Sequence, residues 1–267
     1  MTLLVVDGSN AIYRAHYAVP PMSHNGTPTN AVVGFMRIFK SNLKKTEATR
    51  CGIVFDRPGR NHRHELFEAY KAGREKKPEV QAALKVQIPI IVDLLRALGF
   101  RVIGKKNIEG DDLIGTLAVD YVNKFPDREA YVLSGDKDFG QLLVKSKIRL
   151  INPQKGVITK KNIEEVYGVA ARQVIDYLML EGDDIDNIPG VNGVGLKTAQ
   201  KLLSEYRHVE DIPASAFPKW ARENHAQVLE QFKLTRQLLT IRLDLIDYPL
   251  SKLKRGERDA EALAAIC

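Results

Sequence analysis

The sequence predicts an α/β fold: a mostly parallel central sheet flanked by helices, with a mainly helical C-terminal region. Three observations predict it. Short β-rich runs alternate with longer amphipathic stretches over residues 1–160, nearly every such run ends in a carboxylate, and the strand signal fades after Asn152. Strands alternating with helices need crossover connections, which favour a parallel sheet covered on both faces.

Taken in order, Leu3–Val6 reads as the first strand and Ala31–Lys45 as a helix, with Cys51–Phe55 as the second strand. An insertion at about 57–85 follows, basic and weakly periodic at its start. From Val80 to Leu98 the residues Leu84, Ile88, Ile91, Leu95 and Leu98 recur at helical spacing, and Pro89 is expected to kink or interrupt that helix. Arg101–Ile103, Ala130–Leu133 and Ile148–Ile151 read as strands, and Asp111–Asn123 as the helix between the first two. Residues 161–267 read as helices at Asn162–Tyr167, Arg172–Leu180, Leu196–Tyr206 and His225–Thr240.

The apolar run at the start reaches Asp7 quickly and lacks a basic leader, so it does not read as a signal peptide. No stretch has the ~20 apolar residues of a membrane span, and no membrane partner is expected. Cys51 and Cys267 make no metal-ligand spacing. A cytoplasmic, reduced protein is the expectation. The net charge of +7 favours a polyanionic partner, although a solvated basic surface fits that number as well.

The acids carry the chemistry. Asp7 and Asp56 end the first two strands, Glu109-Gly110-Asp111-Asp112 follows the third, and Asp136-Lys137-Asp138 follows the fourth. In a parallel sheet these strand ends share one edge, outside which ligands bind. One Asp after a strand is most simply a helix N-cap. Several together repel unless cations neutralise them, and oxygen-only donors suit Mg²⁺ or Mn²⁺. Two such ions can activate water and stabilise a departing oxygen in phosphodiester cleavage. The acidic run Glu181–Asn187 reads either as a polar turn after the helix ending near Leu180 or as a metal position: Asp183 and Asp186 lie three apart, so in a helical turn they would share a face and reach a second ion.

The glycine-rich stretch Ile188–Ala199, with Gly190, Gly193, Gly195, Lys197 and Thr198, opens a helix and has the spacing of a helix–hairpin–helix over about 172–206. Such an element holds the DNA backbone without reading sequence. The basic insertion interleaves Arg57, Arg60, Arg63, Lys71, Arg74, Lys76 and Lys77 with Phe67 and Tyr70. Solvated charge is one reading of it, and contact with single-stranded nucleic acid is another. Lys71 and Arg74, three apart on a helix, would clamp a scissile phosphate, and Arg14 reads equally as a further phosphate ligand or as half of a surface salt bridge.

These blocks resemble, in order, the 5′ nuclease domain of bacterial DNA polymerase I and the related flap endonucleases. The resemblance runs through Val-Val-Asp7-Gly-Ser-Asn, Tyr13-Arg14-Ala15, Val-Phe-Asp56, Leu66 to Arg74, Glu109 to Asp112, Ser134 to Asp138 and Gly182 to Ala199. It implies a PIN-like nuclease core. It also implies that Asp7, Asp56, Glu109, Asp111, Asp112, Asp136, Asp138, Asp183 and Asp186 are metal-site acids. Asp111, Asp112, Asp136 and Asp138 would lie near one divalent ion, and Asp183 and Asp186 near another. Tyr70, Lys71 and Arg74 would belong to a helical arch over the site, and the hairpin would hold a K⁺ ion. Gly110 stands where this family usually has Ala, and Asp184 where a small polar residue is common.

The expected activity is metal-dependent 5′-3′ exonuclease or flap endonuclease cleavage of DNA with 5′ single-stranded ends, in replication or repair. A DNA polymerase is the expected partner, in cis or in trans, in a bacterial or phage-type, nucleoid-associated setting. Two alternatives stand beside it: a non-catalytic DNA-junction binder and a related nuclease acting on RNA. A dehalogenase-type phosphatase lacks its acid pair, because Ser9 occupies the second position.

Overall fold

The computed structural model describes residues 1–73, 77–245 and 247–266. The chain runs β1 (Leu3–Asp7), α1 (Gly8–Ala18), a small ribbon of β2 (Ser23–His24) and β3 (Thr27–Pro28), α2 (Asn30–Thr46), β4 (Arg50–Val54), α3 (His62–Leu66), α4 (Pro78–Ala97), β5 (Arg101–Ile103) and α5 (Gly110–Lys124). It continues with β6 (Ala130–Leu133), a 3-10 segment (Asp138–Val144), β7 (Ile148–Asn152), β8 (Gly156–Ile158), α6 (Ile163–Tyr167), α7 (Val174–Glu181), α8 (Leu196–Glu205), α9 (Lys219–Glu223), α10 (His225–Leu239) and α11 (Ala260–Ile266).

The main sheet has the order β5-β4-β1-β6-β7-β8. All its pairs are parallel except β7 with β8. Successive side chains of β1 alternate between two cores, as the two-residue period of a strand requires. Leu3 and Val5 pack with Leu113, Leu117 and Phe139 on one face. Leu4 and Val6 pack with Ile12, Phe35, Ile91 and Leu95 on the other. The chain moves outward from β1 to β4 and β5, then returns to add β6 on the other side. The switch point therefore lies between β1 and β6, where crevices form in such sheets.

Two local differences from the sequence reading have simple causes. Pro89 does not interrupt α4, which runs unbroken from Pro78 to Ala97. Pro89 and Lys85 are both exposed, so the Lys85 carbonyl that loses its helical partner faces water. Deeper in the same helix, fully buried Gln87 accepts from the Ala31 and Val32 amides at 2.8 and 3.2 Å, satisfying the N-terminus of α2. The second difference is in the insertion. Residues 68–73 form turns after the five-residue α3, so Tyr70 and Lys71 do not lie on a helix. Lys71 has φ +60°, outside the right-handed helical region. Arg74 lies outside the described residues.

Candidate active site

Asp7 ends β1 and caps α1. One carboxylate oxygen accepts from the Asn10 amide at 2.9 Å and the other from Ser134 Oγ at 2.8 Å. The N-cap reading of this acid is therefore correct, and it does not exclude a second role. Ser134 Oγ also accepts from the Asp136 amide at 3.1 Å, which ties the ends of β1 and β6 across the switch point. Asp56, beyond β4, accepts from the Gly110 amide at 2.7 Å, so it satisfies an open N–H at the start of α5. A Cβ at Gly110 would stand 2.9 Å from Asp56 Oδ1. The glycine thus allows this approach.

Asp7, Asp56, Asp111 and Asp136, with Asp183 and Asp186 facing them, line one cleft of about 1200 Å³. Asp138 sits in a small pocket behind it, which Asp111 and Asp186 also border. Burial, and then the charges of Asp56 and Asp136, push Asp7 up to about 7 against its two hydrogen bonds. Burial and neighbouring acids hold Asp111 and Asp138 well above the usual carboxylate range and raise Asp136 as well. Carboxylates that raise one another in this way are relieved by a cation. Among the described residues Asp138 Oδ1 is buried with no hydrogen-bond partner, an uncommon state for a native polar atom. An all-oxygen donor set with an orphaned oxygen fits a hard divalent ion. Among the described residues no three acids close around a single point. Mg²⁺ does not require that, because it keeps most of its waters and takes one or two carboxylates.

Three predicted site residues are placed differently. Asp112 is fully buried and points away from the cleft. Its oxygens accept from Arg63 at 2.8 and 2.9 Å and from the Arg242 amide at 2.9 Å. It is a structural counter-ion in this arrangement, because both oxygens are taken. Glu109 is likewise enclosed by Asn61, Lys71, Arg63 and Tyr70. Burial works to raise its pKa, but Lys71 and Arg63 overcome this and hold it below its ordinary value. Tyr70 is only 4% exposed and its hydroxyl donates to Glu109 and Asp186, both at 3.1 Å. It is a strut between two acids, and its ring offers little surface to DNA.

Asp183 and Asp186 do not share a helical turn. They lie in a tight turn closed by an Asp183–Ile188 bridge, where Asp183 accepts from the amides of Ile185 and Asp186. This turn is stitched to the insertion: the Lys71 amide donates to the Asp186 carbonyl, and Asn187 Nδ2 to the Ala69 carbonyl. Lys71 Nζ lies 2.9 Å from Glu109 and 3.6 Å from Asp186, at the edge of the cleft.

The glycine hairpin joins α7 to α8. Gly190 has no room for a side chain, since a Cβ would lie 2.3 Å from the Glu181 carbonyl, and Gly193 has φ +81°. Gly195 precedes α8 with open space around it, Lys197 is exposed and Thr198 half-buried. Arg14 is half-buried beside the cleft-lining face of α1 and does not line the cleft itself.

The sequence reading missed Asn10, Tyr13 and Tyr17, which line the cleft from one face of α1. Their spacing of three and four residues was the available signal. It grouped Arg63 with the basic residues of the insertion and missed its buried role. That guanidinium, 3% exposed, bonds Asp112, Glu109 and the Leu238 and Thr240 carbonyls at the end of α10.

The chain matches two family models: the 5′-3′ exonuclease N-terminal resolvase-like domain over residues 2–168, and the 5′-3′ exonuclease C-terminal SAM fold over 169–261. It is 38% identical over 262 residues to a 5′-3′ exonuclease of Aquifex aeolicus, covering 96% of this chain and 88% of that protein. It is 38% identical over 281 residues to DNA polymerase I of Pseudomonas aeruginosa, covering 99% of this chain but only 30% of the polymerase. Its fold is similar to that of T5 5′-exonuclease with bound zinc ions, with a TM-score of 0.74 at 22% identity, over 90% of this chain and 89% of that one. The catalytic core of Rad2 in complex with DNA shares the fold with a TM-score of 0.62 at 16% identity, over 99% and 86%.

Proposed function

We propose, for a chain that belongs to the 5′-3′ exonuclease family, that it is a metal-dependent nuclease hydrolysing DNA phosphodiesters near single-strand/duplex junctions from the 5′ side. The observation that carries this is the row of acids at one edge of the sheet, with an orphaned Asp138 oxygen among them.

In this reading Asp7, Asp56, Asp111, Asp136 and Asp138 would surround one ion, one or two of them directly and the others through its waters, and Asp183 and Asp186 would approach a second. Bound divalent ions supply water activation and neutralisation of charge on the phosphate. The protein's own residues do the positioning. Ser134 and Asn10 fix Asp7, Gly110 fixes Asp56, and Lys71 stands where it can leave Glu109 and Asp186 for a phosphate oxygen. Mg²⁺ is the expected ion, with Mn²⁺ substituting. We assign the chemistry to residues 1–160 and the grip on duplex DNA to 161–267, where the hairpin carbonyls would hold K⁺. A monomer acting in the cytoplasm beside a polymerase, fused or separate, completes the proposal. The polymerase relatives of this family support the last point.

The test compares wild type with Asp138→Ala on matched DNA and RNA flaps. Loss of Mg²⁺-dependent DNA cleavage with flap binding retained supports the site. Full activity in the variant removes Asp138 from it, and preferential RNA cleavage overturns the substrate.

A further inference from the structure

Beyond the acids, the cleft contains a cation whose surroundings do not account for it. Lys155 lies in the turn between β7 and β8, and it lines the same cleft as Asp7 and Asp136 together with Gln154, Tyr167, Leu196 and Gln200. Of the other lysines that line the cleft, Lys71 and Lys137 have acid partners, Glu109 at 2.9 Å and Glu181 at 2.8 Å, and Lys77 forms no ion pair among the described residues. Lys155 forms no ion pair among the described residues. Its ammonium lies over the Tyr167 ring at 4.4 Å instead, an arrangement that aims the charge without neutralising it.

The turn is rigidly placed. Asn152, 3% exposed, accepts from the Gln154 and Lys155 amides at 2.9 and 3.1 Å, and donates to the Gly135 carbonyl at 3.3 Å. Gly135 in turn donates its amide to Asn10 at 3.1 Å. Lys155 is therefore fixed to the loop that carries Asp136. On its other side Gln200 of α8 donates to the Tyr167 carbonyl at 2.8 Å, so the same unit is fixed to the helix that follows the glycine hairpin. Lys155 thus sits between the acids and the hairpin. β8 lies two strand spacings from β6, on the order of 10 Å, or about three base-pair rises of DNA.

We propose that Lys155 binds a backbone phosphate of the duplex, within about three nucleotides of the cut, and so sets the register between the hairpin grip and the acids. This rests on the nuclease reading above. It adds a contact that neither the acids nor the hairpin supplies.

The test measures binding of a 5′-flap duplex to the full chain by fluorescence anisotropy in Ca²⁺ over a series of KCl concentrations. Wild type is compared with Lys155→Ala and Lys155→Arg. In parallel, each of the first three duplex phosphates beyond the cut is replaced singly by a neutral methylphosphonate. Lys155→Ala is expected to weaken binding about tenfold and to lower the salt slope by about one. In cleavage assays the loss falls mainly on KM, and Lys155→Arg restores most of it. One of the three neutral substitutions should weaken wild type and have no added effect in Lys155→Ala. Because the side chain is exposed, an unchanged thermal midpoint verifies that the variant is folded. If wild type binds the flap but both slopes are equal, or if all three neutral phosphates add to Lys155→Ala, this assignment is overturned alone. If wild type does not bind flap DNA, the nuclease reading fails, and this inference fails with it.

Discussion

Replacing Arg63 with methionine should be among the most damaging changes that avoid the cleft. The guanidinium makes five hydrogen bonds: to the Leu238 carbonyl at 2.7 Å, to Glu109 at 3.1 Å, to Asp112 at 2.9 and 2.8 Å, and to the Thr240 carbonyl at 3.0 Å. Methionine fills much of the volume but leaves Asp112, fully buried, with the Arg242 amide as its remaining intramolecular partner from outside its own helix. Removing one partner of a buried ion pair costs about 3–5 kcal/mol because an uncompensated charge stays behind. At roughly 2–4 °C per kcal/mol for a chain of this size, the thermal midpoint should fall by about 6–20 °C. Replacing the whole pair is expected to be far milder, since apolar substitutes for a buried ion pair are often neutral. Arg63→Met with Asp112→Leu should therefore recover more than half the loss in calorimetric melting without added metal. A single variant costing under about 1 kcal/mol, or a double variant no more stable than the single, would refute the view that this pair holds α10 against the catalytic edge.

Three further outcomes follow from named contacts. A group with a raised folded pKa contributes stability below its unfolded value that is lost as pH rises through the folded one. With Asp7 moved from 3.8 to about 7, metal-free stability should fall between pH 4 and 7 by on the order of 4 kcal/mol at most. Asp7→Asn should flatten that slope in denaturant titrations, and Mg²⁺ should raise the midpoint of wild type more than that of the variant. Gly110→Ala gains up to about 1 kcal/mol of helix propensity but places a methyl 2.9 Å from Asp56 Oδ1. Because that neighbour is the far end of a side chain and this family usually has Ala here, the carboxylate should shift, leaving cleavage intact and the melting temperature no lower; a large loss of kcat would show that Asp56 cannot move. Gly190→Ala meets the Glu181 carbonyl at 2.3 Å and should destabilise the chain by about 1–3 kcal/mol, with weaker duplex binding; an unchanged melting curve would contradict the packing described.

The sheet was legible in the sequence because its inner strands are buried on both faces and read as apolar runs, as with Leu3–Val6 and Ala130–Leu133. The convergence of acids was legible because each follows such a run. β8 escaped because it is three residues long and two of them are exposed. α1 escaped because Asn10, Tyr13 and Tyr17 give its cleft-facing side a polar pattern. The reading of the basic insertion could not tell Arg63 from its exposed neighbours. Nothing local distinguishes an arginine that goes inward, and its partners stand at Asp112 and beyond Leu238, far along the chain. The helical spacing assumed for Lys71 failed for the converse reason. Contacts with the Asp186 turn, distant in sequence, set its backbone at φ +60°.

The nuclease activity is tested most directly by incubating the purified chain with end-labelled DNA that carries a 5′ flap or, separately, a 3′ flap, each with Mg²⁺ and with EDTA. Cleavage is expected at the junction of a 5′ flap, dependent on Mg²⁺ and absent for a 3′ flap. Tight flap binding without cleavage in either Mg²⁺ or Mn²⁺ would contradict it and leave a protein that only holds DNA junctions.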